Sequence, residues 1–251
     1  MSFGACVVAV APLRAEALHK SEMISQLIFG ECVKILNDTK DFYKVISLYD
    51  NYEGWCAKNQ LSIVDEHFYL NNHLQIITSP LISTTINAEK IYLSSGSFVG
   101  CTKNNQLNIG DNKIVFEKFA ECTASIQLND CLKAYLNIPY LWGGKAVFGI
   151  DCSGFAQLIY KLLGIKLNRD AYQQAEQGEI VGFLQEAKLG DLAFFDNEEG
   201  RITHVGILLN ESQIIHAAGM VRIDKIDNAG IINTTTQKRT HQLRIIKRVI
   251  F

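Results

Sequence analysis

The chain has 251 residues, 48% of them hydrophobic and 20% charged, and a formal net charge of -2. That length accommodates one large domain or two to three small ones, and the near-neutral balance gives no electrostatic footprint for nucleic acid. No stretch reaches the ~18 apolar residues of a membrane helix, so neither nucleic acid nor membrane is expected as a partner.

At the N-terminus the apolar run of residues 4–11 follows an uncharged Met1-Ser2-Phe3 and stops at Pro12. A secretory signal needs a basic leader segment, so the run is read as a first strand, residues 5–11, and the expected location is the cytoplasm. The seven cysteines, Cys6, Cys32, Cys56, Cys101, Cys122, Cys131 and Cys152, are scattered, odd in number and without a CxxC pair. That pattern fits neither a zinc cage nor a disulfide framework, and it suits a reducing compartment. Residues 27–29 end at Gly30, residues 32–36 alternate apolar and polar, and Asn37-Asp38 reads as a turn. Residues 42–49 form the next strand, Asp50-Asn51 turns it back, and residues 52–55 begin another. Short strands at this density predict a small β-barrel over residues 1–65. Residues 66–119 are also rich in β-branched side chains, for example at 74–78 and 113–116. They read equally as a second, degenerate barrel or as an ordered β linker.

The pattern changes over residues 120–251. Ile126, Cys131, Leu132 and Tyr135 share one face of a helix over 125–136, which Pro139 ends. Phe155, Leu158, Ile159 and Leu162 mark a second helix over 153–163, capped by Gly164. Strands follow at 191–195, 204–209, 213–216 and 244–249, so helices come first and strands second, an α+β arrangement.

One constellation carries chemistry. Cys152 opens the second helix, where the partial positive charge of a helix N-terminus favours a thiolate. His204 begins a strand, with Gly206 next on its face as space for a substrate, and His216 ends the following strand. A hairpin at residues 210–212 brings the two histidines onto adjacent strands. His204 then serves as base, and His216 orients it. The remaining cysteines read as buried apolar residues, and His19, His67, His73 and His241 as structural. Asp151 reads equally as a helix N-terminal acid or as a ligand group.

The segments SEMISQLIFGECVKIL, FYKV and YDNYEGWCAKNQLSIV resemble a bacterial SH3-like domain. Further on, YLWGG, DCSGF, LGDLAFF, THVGI and IIHAAG, in that order, resemble the catalytic domain of the NlpC cell-wall endopeptidases. The resemblance implies a papain-like fold behind one or two SH3-like barrels, a triad of Cys152, His204 and His216, and no metal or organic cofactor. With the SH3-like segment it resembles the γ-D-glutamyl-L-diamino acid endopeptidases, also called dipeptidyl-peptidase VI. These cleave the bond between γ-D-Glu and a diamino acid in murein-derived peptides with a free N-terminal L-Ala, an activity of peptidoglycan recycling. By the same resemblance, Asp151, Glu22 and Tyr52 bind the free ammonium, and Tyr140, Trp142, Ser153 and Arg169 lie around the pocket. Three other readings remain open on sequence: an acyltransferase or amidase on another acyl substrate, a non-catalytic wall-peptide-binding module, and a zinc hydrolase using Cys152, His204 and His216.

Overall fold

The computed structural model describes residues 2–71, 75–100, 104–117 and 127–249. It divides into two units, one of residues 1–126 with 142–148, the other of residues 127–141 with 149–251.

The first unit begins with β1 (Ser2–Cys6), β2 (Val10–Arg14), β3 (Met23–Ile28), β4 (Cys32–Asp38), β5 (Phe42–Ser47), β6 (Glu53–Ala57) and β7 (Leu61–Val64). They pair antiparallel in the order β3-β2-β6-β5-β4-β1-β7, the SH3-like barrel. Two local expectations change. The single strand over 5–11 is two strands, because β1 pairs with β4 and β7 whereas β2 pairs with β3 and β6; the chain must turn a corner to change neighbours. Asn37-Asp38 is not a turn: a bulge between Ile35 and Asn37 lets β4 continue, and Thr39 closes the turn onto Phe42. Asn51 does turn the chain, with φ +57°.

After α1 (Glu66–Asn71), β8 (Leu81–Ile86), β9 (Glu89–Ser94), β10 (Gln106–Ile109) and β11 (Asn112–Val115) form a four-stranded antiparallel sheet in the order β10-β11-β8-β9. Its Leu93, Ile109 and Ile114 share a buried cluster with Phe3, Ala5 and Phe29 of the barrel. This four-stranded sheet thus extends the barrel's core. Of residues 74–78, Leu74 is outside the described residues and Ile76 makes a single bridge to Phe98; Cys101 and Cys122 are also outside the described residues. Gly30, at φ +77°, must be glycine, because a Cβ there would lie 1.9 Å from the Phe98 carbonyl oxygen. The unit also takes in β12 (Lys145–Ala146).

In the second unit α2 (Leu128–Ala134) buries Cys131 and Leu132, and Asn137, at φ +68°, ends the turn beyond it ahead of Pro139. Residues 125–126 of the expected helix are outside the described residues. Then come β13 (Gly149–Ile150), α3 (Cys152–Leu162) and α4 (Ala171–Gln174). Each residue of α3 is buried. Asp151 caps it by accepting from the Gly154 N–H, and Gly164, at φ +79°, lets the Ile165 N–H return to the Tyr160 carbonyl. The sheet holds β14 (Glu179–Val181), β15 (Leu192–Asp196), β16 (Ile202–Asn210), β17 (Gln213–Ala218), β18 (Met220–Asp227), β19 (Gly230–Ile232) and β20 (Arg239–Arg248). Their order is β14-β20-β15-β16-β17-β18-β19, with β19 also paired to β20. The helix α3 packs on β16 and β17. This is the α+β, papain-like architecture expected, and β14, β18 and β19 had no counterpart in the sequence reading.

Candidate active site

Cys152 is the first residue of α3 and 8% exposed. The backbone N–H of Val205 on β16, the residue after His204, favours the charged form of the Cys152 sulfur. His204 Nε2 lies 2.8 Å from His216 Nδ1, and the rings meet edge to face. Adjacent pairing of β16 and β17 produces this contact, as the short hairpin predicts. With Nε2 engaged, Nδ1 is the His204 nitrogen left to take a proton.

The electrostatics differ from the expectation of a thiolate. Burial pushes the Cys152 thiol up to about 12, with the Asp151 charge adding to it; the Val205 and Ser153 amides and Arg169 oppose this and do not prevail. Burial also drives His204 well below the ordinary histidine value, helped by His216 and His241. Both shifts favour the neutral forms, thiol and imidazole. The acid limb of kcat/KM is then expected below pH 6.5, because His204 is protonated, and lost as a base, only well under that value. A pH–rate profile checks this, and an acid limb centred at or above 6.5 would contradict it.

Gly206 has a different job from the one expected. A Cβ there would fall 2.6 Å from Ile214 Cδ1 and 2.9 Å from His216 Cβ, so the glycine makes room for β17. The open space is elsewhere: a cavity of about 310 Å³ lined by Tyr140, Thr203, His204, Ala217, Gly219 and His241, among others. The Tyr140 hydroxyl is pushed up to about 12 by burial and by nearby Cys152 and Asp151, so it keeps its proton as a donor.

Comparison with known proteins assigns this arrangement to a family. Residues 137–240 match the NlpC/P60 family model, and residues 13–61 match the bacterial dipeptidyl-peptidase SH3 domain. The γ-D-glutamyl-L-lysine dipeptidyl-peptidase of Bacillus subtilis is 30% identical over 213 residues, 77% of this chain and 71% of the relative. The chain belongs to the NlpC/P60 family of cysteine peptidases. Dipeptidyl-peptidase 6 of Lysinibacillus sphaericus is 26% identical over 84% of this chain and 86% of its own. An NlpC/P60 family crystal structure from Bacillus cereus shares the fold at a TM-score of 0.81, with 20% identity over 98% of this chain and 99% of that one.

Within this NlpC/P60 unit the other candidate residues fall into groups. Asp151, Ser153 and Arg169 form a buried cluster at the head of α3. Arg169 donates to both Asp151 oxygens, at 3.1 and 2.5 Å, and to the Ser153 hydroxyl at 2.9 Å. Asp151 thus serves as helix cap and as the Arg169 counter-ion. Glu22 and Trp142 belong to the first unit, where the Trp142 indole N–H donates to Glu22 at 2.8 Å and both side chains are exposed. Tyr52, half-buried in the same unit, follows the Asn51 turn.

Two neighbours of His204 and His216 escaped sequence reading. His241 on β20 stacks on His204 with centroids 4.1 Å apart and planes 24° from parallel. Asp224 on β18 lies 3.1 Å from His216 Nε2. Neither lies in a family-like motif, and no local spacing announces them. Among the described residues, nitrogens of His204, His216 and His241 lie within 4.8 Å of one another, close enough to hold a metal ion. However, the 2.8 Å His204–His216 contact is shorter than the ~3.3 Å between two ligands of one tetrahedral zinc. The cluster is built as a hydrogen-bonded relay.

Proposed function

We propose that the chain hydrolyses the bond between γ-D-Glu and a diamino acid, lysine or diaminopimelate, in cell-wall peptides with a free N-terminal L-Ala, as a cytoplasmic step of peptidoglycan recycling. The observation that carries the reading is the Cys152–His204–His216 arrangement at the mouth of α3. The likeness to relatives named for γ-D-glutamyl-L-lysine dipeptidyl-peptidase activity supports the bond and the substrate class. Free buried thiols at Cys6, Cys32, Cys56 and Cys131 suit a reducing compartment.

The chemistry follows from the residues. His204 Nδ1 takes the Cys152 proton as the sulfur attacks the γ-glutamyl carbonyl carbon. The Cys152 N–H and the Tyr140 hydroxyl donate to the developing oxyanion. His204 then gives its proton to the departing amine, the C–N bond breaks, and the diamino acid leaves. Water, deprotonated by His204, cleaves the thioester and releases L-Ala-γ-D-Glu with the thiol restored.

A free amine matters in this reading because a desolvated ammonium must meet a carboxylate. Asp151, beside Cys152, is a carboxylate that the resemblance names for it. Acetylating the N-terminus of L-Ala-γ-D-Glu-diaminopimelate is expected to lower kcat/KM by ~10²-fold, the scale of losing a charge-assisted contact of 2–3 kcal/mol. Mass spectrometry of products from free and blocked peptides tests it, and equal cleavage of the two would remove the ammonium requirement.

A further inference from the structure

The relay does not end at His216. Asp224 is 1% exposed, and its Oδ2 faces His216 Nε2 at 3.1 Å. The other oxygen, Oδ1, accepts from the Thr234 N–H and hydroxyl, both at 2.8 Å, and from Arg222 Nη2 at 3.0 Å. The Arg222 Nε lies 2.9 Å from Oδ2 and balances the charge. Burial works against the charged form, yet hydrogen bonds from His216, Thr234 and Arg222 hold the carboxyl well below the usual carboxylate range. The titratable and charged groups around it are His216 on β17, Arg222 on its own strand, and His204 and His241 from β16 and β20.

We infer that Asp224 is a positioning residue that sets the tautomers of both histidines, making His204 Nδ1 the basic nitrogen. A carboxylate only accepts, so His216 must carry its hydrogen on Nε2. Its Nδ1 is then bare and accepts from His204 at 2.8 Å. His204 therefore carries its hydrogen on Nε2, and its Nδ1 lone pair is left for the thiol. Were Nδ1 of His216 protonated instead, it would donate to His204 Nε2 and put the His204 hydrogen on Nδ1, where it cannot act as base.

Asp224→Asn makes the test sharp. Three donors, the Thr234 N–H and hydroxyl and Arg222 Nη2, meet Oδ1 against Arg222 Nε alone beside Oδ2, so the amide oxygen is favoured at Oδ1 and the NH₂ faces His216. That donor forces the hydrogen of His216 onto Nδ1 and, through it, that of His204 onto Nδ1. A wrong tautomer behind a serine-protease histidine costs ~10⁴-fold in kcat. One hydrogen bond further from the nucleophile, a ~10²-fold fall in kcat is expected, with KM within about twofold. Nitrogen-15 NMR of histidine-labelled protein reads the tautomers directly. Nε2–H on His204 and His216 in the wild type, replaced by Nδ1–H in Asp224→Asn, is the expected result. Nδ1–H on His216 in the unmodified protein would overturn the inference, whatever the variant's stability, and so would a variant that keeps its kcat within twofold. The inference rests on the peptidase reading, but the wild-type tautomers are read without substrate. An enzyme inert on γ-D-glutamyl peptides with the Nε2–H pattern intact would sink only the proposed substrate.

Discussion

Cys152→Ala is expected to fold as the wild type does and to lose turnover by ~10⁴–10⁶-fold, the scale seen when a nucleophile is removed from a triad. The fold survives because the site tolerates the change. Position 152 begins α3, whose cap is the neighbouring Asp151 side chain, and that cap is untouched. Alanine is the better helix former, and the loss is one small buried sulfur, so stability should stay within ~1 kcal/mol. Activity does not survive because the neighbouring hydroxyl cannot replace the thiol: Ser153 Oγ is held by Asp151 and Arg169. Thermal melting with product analysis by mass spectrometry measures both parts. A variant that folds and still cleaves at a tenth of the normal rate would remove Cys152 as the nucleophile.

Lys145→Met is expected to destabilise the first unit by ~3–5 kcal/mol, the cost of breaking a buried ion pair from one side. Lys145 is 95 to 114 residues along the chain from its acidic partners. Its ammonium lies 3.4 Å from Glu31 and 3.4 Å from Asp50, and the three side chains are 5%, 0% and 1% exposed. Glu31 also accepts from the Ile28 N–H at the Gly30 turn, so its place in the fold is fixed. Methionine fills the volume of the lysine stem but removes the cation that lies against both buried carboxylates. Against an ordinary total stability of 5–15 kcal/mol this is a large fraction. Urea unfolding measures it, and a change under ~1 kcal/mol would mean that water or another group takes over the cation's role. The consequence concerns more than stability. Residues 142–148, which the chain supplies between Tyr140 and Cys152, are part of the first unit. The SH3-like unit is therefore completed by a segment drawn from within the stretch that matches the NlpC/P60 family model.

The sequence by itself placed Cys152 at the opening of a helix and His204 and His216 on paired strands, because each placement rests on short-range rules. A cysteine behind a capping acid and before apolar residues at helical spacing opens a helix, and a glycine ends it. Two histidines on either side of a short hairpin must land on paired strands. The SH3-like strands were legible for the same reason, apart from the corner at residues 7–9, where changing neighbours is a matter of sheet order. Only the tertiary structure decided the ionisation of Cys152. Burial outweighs the helix terminus there, and burial is a sum over everything packed around the sulfur. It alone produced Asp224 and His241, carried to the triad by β18 and β20 through strand order. It also moved Gly206 from substrate space to packing against Ile214, and it paired Asp151 with Arg169. Hydrogen-bonded turns and helix caps are set within a few residues, whereas desolvation and charge pairing depend on which distant segments meet.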